Sequence, residues 1–256
     1  MAFGERQVFD GLSFSFPRGR IAVILGGSGS GKSTALRLIG GLIQPLSGRI
    51  LVDGEDVTRL SERRLYGVRA KLGMLFQGGA LLDSMTVYEN LAFPLRERTA
   101  LNETEIATRV RETLGAVGLH DADDLLPSQL SGGMIKRAAL ARAIVTRPLI
   151  LLCDEPFSGL DPISARRIEA LLVEINRRFG ITIVVVSHDI PSTMRLASSV
   201  LVLLPDGAVQ GTPAELQRSE DPRVASFLNP DLDAAALNET GRVEALPSQS
   251  LGSTAW

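Results

Sequence analysis

The stretch "IAVILGGSGSGKST", Ile21 to Thr34, decides the fold. An apolar run entering a cluster of glycines reads as a buried strand that ends in a turn. "KSTALRLIGGL" beyond it reads as a helix that stops near Gly40 and Gly41. Gly26 to Ser33 fits the pattern G-x-x-x-x-G-K-[ST], a phosphate loop. The residue types follow from the task. Gly26, Gly27, Ser28, Gly29, Ser30 and Gly31 allow a tight turn whose N–H groups surround phosphates. Lys32 reaches the β- and γ-phosphates, the Ser33 hydroxyl ligates Mg²⁺, and Thr34 follows at the helix start. A glycine-rich turn alone is a bland feature, but here strand, turn, Lys-Ser pair and helix occur together.

The loop gives meaning to acidic and polar residues elsewhere. "PLILLCDEP" reads as a buried strand ending in carboxylates. Asp154 would hold Mg²⁺ through water, and Glu155 would stand where a base can polarise an attacking water. Gln77, ending "KLGMLFQ", is a candidate Mg²⁺ ligand, although a lone glutamine is an ordinary surface amide. His188, ending "IVVVSH", can contact a γ-phosphate or the water, although an isolated histidine often serves structure. His120 reads as solvated and Cys153 as a core thiol. "LSGGMIKRAALARA", Leu130 to Ala143, raises a separate question. Ser131, Gly132 and Gly133 open a helix with bare N–H groups and a hydroxyl, a second anion site in a chain that already has a better one.

The remaining chain reads as α/β. "FDGLSFSFPRGRIAVIL" alternates and then turns continuously apolar, as an edge strand followed by a central strand would. "GRILVDGEDV" reads as a hairpin about Asp53-Gly54. Between about Gln77 and Ile144 helices and loops replace strands, with Asn102 and Glu105 forming a capping box. The α/β alternation then resumes: Asp161 caps a helix that has Pro162 at its first position and stops at Gly180, and "ITIVVVSHD" is another buried strand. Two short strands flank the Pro205-Asp206-Gly207 turn. Unbroken β-branched strands between helices imply a mainly parallel sheet covered on both faces. From Asn229 onward periodicity is lost, and residues 229–256 read as a flexible or partner-docking tail.

Composition excludes several classes. A net charge of −2 argues against a protein that coats nucleic acid, and one cysteine rules out an internal disulfide. The amino-terminal residues are charged where a secretory signal would be apolar, and the longest apolar runs fall far below the roughly 18 residues that span a bilayer. Any membrane association is therefore expected through a partner.

Taken in order, "GGSGSGKST", Gln77, "LSGGM", "LILLCDEP", "SGLD" and His188 resemble the motifs of ABC-transporter ATPase subunits. The resemblance runs from Phe3 to about Gly211. It implies the ABC form of the P-loop NTPase fold, with a mainly parallel core sheet, an antiparallel β portion and an inserted helical subdomain. It places a nucleotide-binding domain at 1–228, with the helical subdomain at about 78–144. It implies ATP and Mg²⁺, and two copies sandwiching two nucleotides, Ser131, Gly132 and Gly133 of one copy contacting the γ-phosphate held by the other. Glu155 would then be the general base, His188 the γ-phosphate switch and Asp161 a link across the dimer. Phe3 matches an aromatic that stacks on adenine. Gln77 and "GGALLDSMTVYENLAFPL" would face an integral-membrane permease. The family normally has a strand before that aromatic, whereas Met1 stands only two positions upstream, and Gly27 replaces the usual Pro or Asn. "FQGGALLDSMTVYENLAFPLRE", Met134 and "DEPFSGLDPI" are most similar to the Mla-type ATPases, which energise phospholipid transport in double-membraned bacteria. That likeness implies an MCE-domain protein and a small STAS-domain protein as further partners, and a place on the cytoplasmic face of the inner membrane. An importer ATPase for another solute is the alternative. A soluble ABC ATPase of DNA repair or translation fits less well, with one cassette and one cysteine present.

Overall fold

Ile21 to Leu25 lie fully buried in the middle of a six-stranded sheet, where a residue on either face meets helix or loop. The computed structural model describes residues 2–3, 6–7 and 9–229. Its strands are β1 (Ala2–Phe3), β2 (Arg6–Gln7), β3 (Ile21–Gly26), β4 (Leu51–Val52), β5 (Glu55–Asp56), β6 (Leu72–Leu75), β7 (Ile150–Asp154), β8 (Thr182–Ser187), β9 (Ser199–Leu204) and β10 (Gly207–Gly211). Its helices are α1 (Lys32–Ile39), α2 (Glu62–Ala70), α3 (Val87–Arg98), α4 (Glu103–Ala116), α5 (Gly132–Ile144), α6 (Pro162–Phe179), α7 (Ile190–Leu196), α8 (Pro213–Gln217) and α9 (Pro222–Leu228).

The main sheet runs β10-β9-β3-β8-β7-β6. All pairs are parallel except β9 with β10, an antiparallel hairpin at one edge. Alternate residues feed different cores, as strand geometry demands. Val23, Leu151, Cys153, Ile183 and Val185 join the cluster beneath the helices α3 to α6. Ile24, Leu152, Val184 and Val186 join the one beneath α1 and α2. The sheet is thus covered on both faces. At about 25 cal/mol per Å² of apolar area removed from water, this two-sided burial is the dominant stabilising contribution.

Caps fix where several helices begin. Thr86 with Glu89 and Asn102 with Glu105 form capping boxes on α3 and α4, while Asp161 accepts hydrogen bonds from the N–H groups of Ile163 and Ser164 to start α6. Gly180, at φ 65°, ends α6 in the left-handed conformation that glycine tolerates best. Between β6 and β7 the chain holds α3, α4 and α5 and no strand.

One expected strand is absent among the described residues. Phe9 to Pro17 does not join a ladder. Its Phe14 and Phe16 pack on the α1-side core, and Ser15 bonds the Gln210 side chain through both its N–H and its C=O. At Ser15 a side-chain amide has satisfied the backbone groups that a neighbouring strand would have used. β1 pairs antiparallel with β2, so Phe3 lies in a short strand.

Candidate functional site

Four segments that bear chemistry leave the sheet at one edge. The loop after β3, the acidic pair after β7, His188 after β8 and Gln77 after β6 all follow the carboxyl ends of parallel strands, where open α/β sheets place their ligands.

The phosphate loop folds around two constraints. A Cβ at Gly26 would lie 2.5 Å from Ser30 Oγ and 3.1 Å from the Leu203 carbonyl oxygen, so only glycine fits there. Gly31, at φ 96°, is the N-cap of α1 and turns the chain into the helix. Lys32 is buried, and its ammonium donates to the carbonyls of Gly26 at 3.0 Å and Gly27 at 2.9 Å. The lysine thereby closes the loop on itself. Ser30 Oγ is buried and has no hydrogen-bond partner among the described residues, a donor available to a ligand oxygen. Gly27, Ser28 and Gly29 are exposed at the loop's tip.

Ser33, the second residue of α1, has its hydroxyl 3.0 Å from Asp154 Oδ1. A hydroxyl and a carboxylate oxygen held together are hard oxygen donors that suit Mg²⁺. No cluster of three or more His, Cys, Asp or Glu side chains among the described residues could hold a metal unaided. Mg²⁺ at this pair would therefore need substrate phosphate and water as its remaining ligands, the usual arrangement for this ion.

Glu155 is the most constrained residue of the site. Its backbone sits at φ 46°, in the left-handed region that a glutamate occupies at a cost of about 1–2 kcal/mol. The conformation is held by its N–H on the Val186 carbonyl at 3.0 Å. Its carboxylate lies 2.9 Å from His188 Nδ1 and 3.8 Å from Lys32 Nζ. Glu155 thus bridges the β8 terminus and the phosphate loop. His188 itself is exposed, which leaves its ring open to a ligand.

The other expected site residues occupy separate positions. Gln77 is exposed and its amide donates to Ser158 Oγ at 3.3 Å, so its side chain spans to the turn after Glu155 and does not bond the Ser33–Asp154 pair. Ser131 caps α5 by accepting the Met134 N–H at 3.3 Å, and its own O–H stays available to donate. A Cβ at Gly132 would meet nothing within 4 Å. This chain's own packing therefore does not require glycine there. No hydrogen bond joins Ser131, Gly132 or Gly133 to the phosphate loop of the same chain among the described residues. Asp161 is exposed, and hydrogen bonds from Ser164 and Ile163 at the α6 terminus hold its carboxyl below the ordinary aspartate value. The Phe3 side chain and residues 230–256 lie outside the described residues. Cys153 is fully buried, and desolvation raises its thiol far above the ordinary value, as expected of a core residue.

Three contacts of the site carry no sequence signal, although Ser158 itself opens the "SGLD" motif. Ser158 receives Gln77, Lys136 of α5 donates to the Gln77 carbonyl, and buried Asn90 holds the next loop through Leu82, Met85 and Thr86. A lysine or asparagine within a helix normally reads as solvent-facing.

Comparison with known proteins agrees with this geometry. The ABC transporter family model matches residues 9–158. The chain is 48% identical over 227 residues to the intermembrane phospholipid transport system ATP-binding protein MlaF of Escherichia coli K12, covering 88% of this chain and 84% of that protein. It is 45% identical to the Haemophilus influenzae MlaF over 90% of this chain and 88% of that one. It is also 42% identical to the "Probable ribonucleotide transport ATP-binding protein mkl" of Mycobacterium tuberculosis H37Rv, over 89% of this chain and 64% of that protein. Among solved structures, a dimeric post-hydrolysis state of the cassette MJ0796 bound to ADP and Pi superposes with a TM-score of 0.75 at 32% identity, covering 83% of this chain and 94% of that one. CbiO1 of Clostridium perfringens, part of the complex cbiONQ, gives 0.77 at 32% identity, covering 91% and 92%. The chain belongs to the ABC transporter family, as an ATP-binding and ATP-hydrolysing subunit.

Proposed function

We propose that the chain hydrolyses ATP to energise phospholipid transport between the membranes of a double-membraned bacterium. The observation that carries the catalytic half is the Glu155 carboxylate, held between Lys32 and His188 at the strand edge that also bears Ser33 and Asp154. Support for the cargo is the likeness to MlaF proteins over most of both chains.

The residues divide the work. Gly26 to Gly31 present N–H groups to the phosphates, and Thr34 continues the cradle into α1. Lys32, released from the Gly26 and Gly27 carbonyls, draws in the β- and γ-phosphates. Ser33, Asp154 and Gln77 would hold Mg²⁺, which when bound neutralises charge on the phosphates. Glu155 accepts a proton from the attacking water, and His188 orients that carboxylate and meets the γ-phosphate. Because Ser131, Gly132 and Gly133 make no hydrogen bond to their own chain's phosphate loop among the described residues, they are assigned to a second copy's γ-phosphate, with Asp161 beside them at the dimer contact. The MJ0796 relative is a dimer. Phe3 is assigned to the adenine.

Residues 1–228 act as the nucleotide-binding domain, with 78–144 as its helical subdomain and 229–256 as a tail. No helix among the described residues is long and apolar enough to cross a membrane. The chain would be held at the cytoplasmic face of the inner membrane by a permease that docks near Gln77 and the loop before α3. An MCE-domain protein and a small STAS-domain protein would complete the complex.

Reconstitution tests both halves. The chain assembled with its permease should move fluorescent phospholipid between vesicles in an ATP-dependent way, and Lys32→Ala should abolish both transport and phosphate release. Ribonucleotide uptake in place of lipid movement would transfer the cargo assignment to the mkl-like reading. Undiminished hydrolysis by Lys32→Ala would sink the phosphate-loop assignment.

A further inference from the structure

Helix α5 grips the loop that carries Gln77, and it does so through backbone groups. Buried Lys136, one turn inside the helix from Ser131, donates from its ammonium to the Gln77 carbonyl. Arg142, two turns further on, donates to the Ala80 carbonyl at 2.6 Å. Between these bonds Gly79, at φ 79°, lies so close that a Cβ would come within 3.3 Å of Ile135 Cγ2 and 3.4 Å of Ala139 Cβ. β6, which leads into the loop, is pressed on the same helix. A Cβ at Gly73 would overlap the Ala143 carbonyl oxygen and lie 2.9 Å from Pro148 Cγ. Both cations are partly desolvated. Burial lowers the Lys136 ammonium below the ordinary lysine value, with the nearby Glu155 carboxylate opposing, and burial lowers Arg142 as well. Charges leave water reluctantly, so their placement on main-chain oxygens needs a return.

We propose that Lys136 and Arg142 are positioning residues: a two-point clip that fixes the Gln77–Ala80 backbone to the helix that Ser131 caps. The loop then cannot move without α5. The groups assigned to one chain's own phosphates and those assigned to the partner's phosphates are mechanically one body. A side-chain contact would not achieve this, because carbonyl bonds constrain the main chain whatever rotamer Gln77 adopts. The functional half of this inference rests on the assignment of Gln77 to the phosphate pocket. The mechanical half does not.

The test uses the full-length chain and four forms: wild type, Lys136→Met, Lys136→Arg and Arg142→Met. Hydrogen exchange read by mass spectrometry over residues 76–81 reports the clip, since the Gly79 N–H is held on the Phe76 carbonyl at 2.8 Å. Exchange there should be about ten-fold faster in Lys136→Met and in Arg142→Met, with peptides from β3 and β8 unchanged, and Lys136→Arg should stay within about two-fold of wild type. In the chain assembled with its permease, Lys136→Met should lower kcat about ten-fold while KM for ATP stays within about two-fold, and Lys136→Arg should restore it. Unchanged exchange in both Met variants overturns the clip. Faster exchange with wild-type kcat overturns the positioning role, as does a Lys136→Arg variant as slow as Lys136→Met. Should Lys136→Met not fold, Arg142→Met carries the same two readouts. Hydrolysis surviving in Lys32→Ala would remove the catalytic reading while leaving the exchange result standing.

Discussion

Replacing Glu155 by Gln separates catalysis from binding. The carboxylate lies 3.8 Å from Lys32 Nζ, and the two side chains are 13% and 8% exposed. Two unit charges at that distance interact by about 4 kcal/mol at an effective dielectric of about 20. An incoming phosphate that shares Lys32 meets the same carboxylate as a repulsion. After screening by residual solvent and by Mg²⁺, a net relief of about 1.4 kcal/mol on removing the charge corresponds to about ten-fold tighter nucleotide binding. Gln keeps the side-chain shape, retains an acceptor for His188 and suffers the same left-handed backbone, so the pocket should hold its form. The carboxylate assigned as base, however, is gone, and general-base catalysis contributes about 10²–10⁴ in rate. Phosphate release by the complex should fall by that factor, titration with a fluorescent ATP analogue should show the lower Kd, and light scattering should show the chain retained as an ATP-bound dimer. Turnover above a tenth of wild type, or weaker binding, would refute the electrostatic reasoning.

Other perturbations address separate links. Ser131→Arg places a large cation in the assigned trans contact, and a dimer mixing one such copy with wild type should lose hydrolysis at the wild-type copy's phosphate loop. Loss at the mutant's own loop would reverse the assignment. Gly73→Ala forces a methyl group against the Ala143 carbonyl and Pro148, and should destabilise by about 1–3 kcal/mol through a lower urea midpoint at constant m. An unchanged midpoint would show that β6 and α5 are not so closely pressed. Glu169, buried between α6 and α7, accepts hydrogen bonds from Arg195 and Ser192. Burial alone would raise its carboxyl, but these partners outweigh that and leave it below the ordinary 4.5. Its folded value is therefore below its unfolded one, so its contribution is complete above about pH 5 and fades as acid brings the pH down through the folded value. Stability curves should lose part of their acid dependence below about pH 5 in Glu169→Gln, and an unaltered acid limb would contradict that role.

The sheet was legible because β3, β7 and β8 are long, apolar and β-branched, and because a phosphate loop demands strand, turn and helix in that order. Capping was legible too, since Asn102, Asp161 and Gly180 act locally and their partners lie within a few residues. The Phe9–Pro17 stretch departs from the edge strand its alternation suggests for the opposite reason. Alternation announces an extended chain but not whether a strand or the Gln210 side chain will satisfy its backbone. Within the site, the residue types of Lys32, Ser33, Asp154 and Glu155 marked them as candidates, and the structure brings them to one edge of the sheet. What could not be read was the bond from Gln77 to Ser158, 81 positions away, or the left-handed backbone of Glu155, which side-chain identity argues against. Lys136 was invisible because its role depends on the close approach of α5 to a loop 59 residues earlier.

Asn90 lies 1% exposed at the second turn of α3, with its side chain joined to Leu82, Met85 and Thr86. The loop from Leu82 to Thr86, assigned to the permease, is thereby set before any partner arrives. Docking on it requires little loss of conformational freedom, so association is cheaper than for a loop that must order first. Stiffness has a second effect. A compliant loop would absorb a small displacement of α3, whereas one latched at several main-chain groups passes it on undamped. With a permease docked there, the single amide of Asn90 would make this part of the molecule a lever, and its replacement by Ala would turn a transmission into a cushion.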